Sequence, residues 1–350
     1  MNRRDFLKTS ALTTGTLVLT GSLPEFAGLA YAGKSKAPKG VIKDSQVKAM
    51  DLDITYATTL LKPPRRGGMV RFWVPLPESD QEQDVTGLSI DSPAAYQVNI
   101  EPEYENRMVF VQSDRLKTGD RITLAYRLRR KRSGMIRDSD DGAKHLVLTE
   151  RERSSPEILS FVDKVTGDEK DPMEIGRKIY YALVDLLTYD KEIPGCGMGI
   201  SEWTFKNRGG RCDDFHALFR TMMISKDVPV RWEQGLPLPY PSQLTAAGKI
   251  EGDCTGAHCW VRFYTGDGRW VPVDVSEADK REDLRDYFFG TISPNRFKVS
   301  SGRDIVLSPP QGGEPLNTFP FAHGEARGIP MIYGHNFRNE IHYKVLNVEV

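Results

Sequence analysis

Three residues of this chain have the types and order for nucleophilic chemistry: Cys212, His258 and Asp274. Cys212 follows Arg208-Gly209-Gly210-Arg211 and precedes a run with Leu218, Phe219, Met222 and Met223 at helical spacing. That pattern predicts a thiol at the mouth of a helix. Unpaired backbone N–H groups and the helix dipole favour an anion there, and the thiolate is the nucleophilic form of cysteine. The glycines permit close approach of another backbone, and the two arginines add positive potential. Asp213 and Asp214 oppose that potential as charges, yet both suit a helix first turn as capping residues. His216 lies one turn on from Cys212, where packing within the helix layer is its expected role.

A thiol needs a base within reach, and the base needs a third group to orient it. His258–Tyr264 and Arg269–Val275 alternate as strands across Gly266-Asp267-Gly268. A three-residue loop pairs Thr265 with Arg269, Trp260 with Asp274 and His258 with Ser276. Asp274 then lies on the face of His258, a diagonal neighbour within side-chain reach. A two-residue turn would send the two to opposite faces. The chemistry therefore demands one particular hairpin.

Other chemistry is weaker. Cys254, His258 and Cys259 lack the paired spacing of a zinc site, and alternation separates His258 from Cys259. Cys259 falls on the apolar face as a small core residue. Cys196 and Cys254 both sit in glycine-containing loops, which leaves a disulfide between them open in an oxidising compartment. Asp138–Gly142 has the look of a calcium loop without its distal glutamate, and a polar turn is the expectation. No metal and no cofactor is called for.

The elements that must position these residues follow from pattern. The chain has 350 residues, 39% apolar, with 48 basic against 48 acidic side chains, which excludes the basic excess of a nucleic-acid binder. Residues 1–32 read as a twin-arginine export signal: Arg3-Arg4-Asp5-Phe6-Leu7-Lys8, a weakly apolar run, then Ala30-Tyr31-Ala32. The expected location is periplasmic or secreted, with residues 33–49 as a flexible leader. Residues 50–135 read as short strands with turn signals, an antiparallel β-sandwich. Arg127, Arg129, Arg130, Lys131 and Arg132 form a basic run there, read either as a solvated strand end or as contact with an anionic cell-envelope surface. Residues 150–350 read as the catalytic domain with a Pro/Gly-rich C-terminal extension. Helices are expected at Pro156–Val165, from Asp171-Pro172 to about Tyr189, and from Cys212. Strands, helices and then strands give an α+β class.

The stretch Gly210-Arg211-Cys212-Asp213-Asp214-Phe215-His216-Ala217 resembles the cysteine motif of transglutaminase-like enzymes. Val228-Pro229-Val230-Arg231, His258-Cys259-Trp260 and Trp270-Val271-Pro272-Val273-Asp274 resemble the motifs that follow it there. Tyr287-Phe288-Phe289-Gly290 to Gly302-Arg303-Asp304-Ile305 is similar to the tail of a bacterial subgroup of cysteine-protease character. The resemblance implies a papain-like core with a Cys-His-Asp triad acting on a protein or peptide substrate. Cys212 would attack a carbonyl, His258 would shuttle the proton, and Asp274 would hold the imidazole. The Cys212 N–H would serve an oxyanion, with Trp203 and Asn207 as candidates for a second donor. Hydrolysis is the expected outcome; glutamine crosslinking, or a binding module that kept the fold, are the alternatives.

Overall fold

The computed structural model describes residues 42–63, 68–247 and 250–350. The expected signal, and the leader up to residue 41, lie outside the described residues. The first half of the chain forms strands β1 (Ala49–Leu60), β2 (Val70–Pro75), β3 (Gln83–Asp91), β4 (Tyr96–Ile100), β5 (Arg107–Ser113), β6 (Arg121–Lys131) and β7 (Ile136–Arg137). A helical stretch follows with α1 (Pro156–Thr166), α2 (Pro172–Leu186), β8 (Thr188–Tyr189), α3 (Ser201–Asn207), β9 (Gly209–Gly210) and α4 (Cys212–Ile224). The chain then runs through β10 (Val230–Pro237), α5 (Pro241–Ala247), β11 (Glu251–Asp253), β12 (His258–Tyr264), β13 (Arg269–Val273) and α6 (Val275–Lys280). It ends with β14 (Arg296–Ser301), β15 (His323–Ala326), β16 (Ile329–Pro330) and β17 (Phe337–Glu349).

Three five-stranded sheets result. Two of them, in the orders β11-β17-β1-β6-β3 and β16-β15-β2-β5-β4, sandwich one apolar core. Alternation builds it: Leu52, Ile54 and Tyr56 of β1 and Leu124, Tyr126 and Leu128 of β6 are buried, and meet Phe72 and Val111 from the facing sheet. The C-terminal stretch, expected as an extension of the catalytic domain, supplies β15 and β16 to one sandwich sheet and β17 to the other. β17 lies alongside β1 over its whole length, from Ala49 opposite Glu349 to Leu60 opposite Phe337. Sequence distance hid this pairing, because the partners are nearly 300 residues apart.

The third sheet, β14-β10-β12-β13-β7, carries α2 and α4 on one face, with Phe215, Leu218, Phe219 and Met222 packed on Val261 and Phe263. α2 starts at the expected Pro172 with Asp171 capping Met173 N–H (2.9 Å). It stops at Leu186, three residues before the expected Tyr189, because Thr188 and Tyr189 pair with Gly209 and Gly210 instead. The class is α+β, as expected.

The basic run of β6 is largely offset by acids on neighbouring strands. Arg127 pairs with Asp53, Arg129 with Asp51 and Glu349, and Lys131 with Asp84. Arg130 is buried, at 1% exposure.

Candidate active site

Cys212 is the first residue of α4, and Asp214 fixes that helix end. One carboxylate oxygen of Asp214 accepts from Arg211 N–H (2.8 Å) and Gly197 N–H (2.6 Å), and the other from Gly199 N–H (3.0 Å). The side chain thus caps its own helix and staples the 195–199 loop over the helix mouth. Gly210, at φ +148°, leaves the room, since a Cβ there would sit 2.4 Å from the Asp214 oxygen. The two arginines turn elsewhere. The Arg208 guanidinium lies over Phe205, and that of Arg211 donates to the Lys191 carbonyl (3.2 Å).

The hairpin has the register that the chemistry required. Tyr264 pairs with Trp270, Arg262 with Pro272 and Val261 with Val273, and Thr265 N–H donates to the Arg269 carbonyl (3.0 Å). The strand stops at Val273, two residues before the expected Val275. Asp274 leaves the ladder to cap α6, and its Oδ1 accepts from Glu277 N–H and Ser276 Oγ–H, each at 2.9 Å. Its Oδ2 accepts from His258 Nε2–H at 2.7 Å. That leaves Nδ1 of His258 for the Cys212 sulfur. Both His258 and Asp274 are buried.

The electrostatics suit an ion pair. The Cys259 thiol donates to the Cys212 sulfur and, against burial, holds the Cys212 thiol well below its usual range, with the His258 imidazole adding to the effect. Burial pulls the His258 imidazolium down, but the charge and hydrogen bond of Asp274 outweigh it and hold His258 up at about 9. Burial would raise Asp274, yet His258 and Arg296 keep it well below the carboxylate range. Asp213 moves the opposite way from Asp274. Burial, and then the Cys212 charge, push its carboxyl well above that range, and its Oδ2 lies 3.6 Å from the Cys212 sulfur.

Cys259 is the core residue expected, but its sulfur also belongs to the site. Val275 N–H donates to His216 Nε2 (3.2 Å), so the His216 Nδ1–H faces Cys259 Sγ at 3.4 Å. A chain of donors therefore runs from the backbone of α6 through His216 and Cys259 to Cys212. Cys212, Asp213 and Cys259 hold their sulfur and oxygen atoms within 4.8 Å of one another, which is the one group of metal-ligating type among the described residues.

Of the two further donor candidates, Asn207 spends its amide on the Trp203 carbonyl (2.8 Å), one turn back in its own helix. The Trp203 indole lies against Gly195. Cys196 and Cys254 are free thiols. Cys254 is buried in the sandwich core, where burial pushes it up to about 12, so the disulfide left open by sequence does not form. Asp138 and Asp140 pair with Arg231, at 2.9 and 3.2 Å, in the polar turn expected there.

Sequence reasoning missed Arg296, the first residue of β14. Its Nη1 donates to Asp274 Oδ2 and lies 2.6 Å from His258 Nε2. Arg296-Phe297-Lys298-Val299-Ser300 alternates as a strand should, and that signal was there to be read.

Comparison with known proteins bears on the family and the fold. The transglutaminase-like superfamily family model matches residues 159–275. An uncharacterised protein of Haemophilus influenzae is 23% identical over 321 residues, 80% of this chain and 86% of that one. The structure of a candidate cysteine protease from Cytophaga hutchinsonii superposes with a TM-score of 0.56 at 13% identity, covering 86% of this chain and 92% of that one. The periplasmic domain of TgpA from Pseudomonas aeruginosa, at 14% identity, covers 71% of this chain and 95% of its own, with a TM-score of 0.36. No helix among the described residues is long and apolar enough to cross a membrane. The chain carries a transglutaminase-like superfamily domain at residues 159–275, and that domain holds Cys212, His258 and Asp274.

Proposed function

We propose that this protein is a thiol acyl-transfer enzyme that hydrolyses a peptide or amide bond. The observation that carries the reading is a thiol in the first turn of a helix beside an imidazole whose far nitrogen is bonded to a buried carboxylate, 2.7 Å away. The Cys212 thiolate attacks the carbonyl carbon, and a C–S bond forms as the oxyanion takes up the negative charge. The Cys212 N–H, in the first turn of α4, has no intrahelical acceptor and is free to donate to that oxygen. The intermediate collapses, the C–N bond breaks, and the His258 imidazolium gives its proton to the departing amine. Water then adds to the thioester, His258 takes a proton from it, and the C–S bond breaks to release the acid and restore the thiolate. Asp274 keeps the imidazole in one tautomer throughout. We place this chemistry outside the cytoplasm, on the strength of the twin-arginine pattern.

Labelling the purified chain with a thiol-directed activity probe, followed by mass spectrometry of the modified peptide, tests the reading. Label on Cys212, lost in C212A, is expected. Undiminished turnover by C212A refutes it. Release of free amine without isopeptide product marks hydrolysis, whereas incorporation of an amine probe into a glutamine acceptor would assign crosslinking instead.

A further inference from the structure

We propose that Arg296 is a positioning residue for the Cys212 nucleophile, acting through the His258–Asp274 pair; this deepens the acyl-transfer reading and rests on it. The guanidinium is buried, at 1% exposure, and every part of it is held. Nη1 donates to Asp274 Oδ2, the oxygen that also accepts from His258 Nε2–H. Nε and Nη2 donate to Asn295 Oδ1, at 3.2 and 3.0 Å. Nη2 lies 3.7 Å from Glu277 Oε2, which Tyr240 Oη–H also contacts. Trp260 and Phe288 flank the group, with ring centres 5.9 and 5.7 Å from its central carbon. The Arg296 carbonyl is gripped by Arg130 Nε–H (2.9 Å), which comes from the sandwich.

A structural ion pair would need only Asp274 and Glu277. The shared oxygen goes further, because it sets where the imidazole points and places a fixed positive charge 2.6 Å from its nitrogen. The charged and titratable groups around His258 are Cys212 and His216 from α4, Cys259 beside it on β12, Asp274 and Glu277 at the α6 end, and Arg296 from β14. The thiolate and the two carboxylates all retain the imidazolium proton. Arg296 is the cation in this group, and it eases release of that proton to the leaving amine.

The test uses iodoacetamide on the full chain, because alkylation of Cys212 needs no substrate and its rate changes again where the imidazolium loses its proton. R296Q should move that upper transition up by about one pH unit or more, the effect of removing a charge in contact. R296K keeps the charge and should hold the transition within about half a unit, while its lost fork slows alkylation. R296M, which keeps the packing on Trp260 and Phe288, replaces R296Q if that variant does not fold. An unmoved transition in a natively folded R296Q or R296M overturns the proposal, as does R296K shifting as far as R296Q. A wild-type profile with no upper transition would instead sink the Cys212–His258 pairing itself.

Discussion

Replacing Asp274 with Asn keeps shape and removes charge, and the structure says how much that costs. Each carboxylate oxygen accepts from two donors: Oδ1 from Ser276 and Glu277, Oδ2 from His258 and Arg296. An amide has one –NH₂ end, and either rotamer points it at two donors. The larger effect is electrostatic. Asp274 is the main reason that His258 stands at about 9 and not near its ordinary 6.5. Losing that gap of about 2.5 units removes roughly 3 kcal/mol from the imidazolium, a factor of ~300 in its ratio of protonated to neutral form. Arg296, left beside His258 without its main partner, pushes the same way. D274N should therefore alkylate with iodoacetamide at least ~10-fold more slowly than wild type at pH 8, with a deficit that shrinks toward pH 6. It should also lose about 3–5 kcal/mol in urea unfolding, because a buried guanidinium has lost its counter-charge. A D274N rate profile that overlays the wild type, in a folded protein, would refute the assignment of Asp274 as the charge that holds the imidazolium.

Three further predictions follow from other contacts. C259A removes the donor that does most to lower the Cys212 thiol, so the pH at which ultraviolet thiolate absorbance appears should rise; no change would break the donor chain from His216. His145, pushed down to about 4 by burial and then by the Arg231 charge, binds its proton more readily when unfolded. Stability should accordingly fall as pH drops from 6.5 toward 4, by about 3 kcal/mol, and H145Q should flatten that part of a urea-unfolding series; an H145Q series as steep as wild type contradicts this. G235A would place a Cβ 1.9 Å from the Phe297 carbonyl oxygen and part β10 from β14, so both the thermal midpoint and the Cys212 alkylation rate should drop; unchanged values would contradict the tight β10–β14 approach.

What the sequence made legible was local. A glycine pair before a cysteine and an apolar stripe after it sufficed to place Cys212 on a helix mouth. Alternation across Gly266-Asp267-Gly268 sufficed for the register, because strand period and loop length leave one solution once His258 and Asp274 must share a face. The same reasoning ran the strand two residues too far, since it gave Asp274 a ladder position and overlooked its capacity to cap the next helix. Cys259 shows a second limit. Alternation correctly sent it into the core, but a core side chain at the end of a strand can still touch a neighbour's sulfur, and that depends on how α4 docks. Arg296 shows a third. Alternation marks its strand, but nothing local says that this strand joins β10, and so brings an arginine 22 residues beyond Asp274 back to that carboxylate.

The third limit concerns the role of the sandwich. The sequence reads as a catalytic unit with a neighbour attached. In the structure the neighbour reaches into the catalytic sheet at buried charges. Arg130 of β6 holds the backbone carbonyls of both Arg296 (2.9 Å) and Glu82 (3.1 Å). Glu82 in turn meets Arg262 of β12, which lies between Glu82 and Glu233 of β10 with no exposed surface. Charges this buried are costly unless every partner is present, so a docking of sandwich and catalytic sheet that parted them would be strongly disfavoured. The docking that keeps them together fixes the start of β14, and with it the guanidinium that shares Asp274 with His258. Separating the sandwich from the helical stretch would therefore leave Cys212 at the mouth of its helix while removing a support from the pair that serves it.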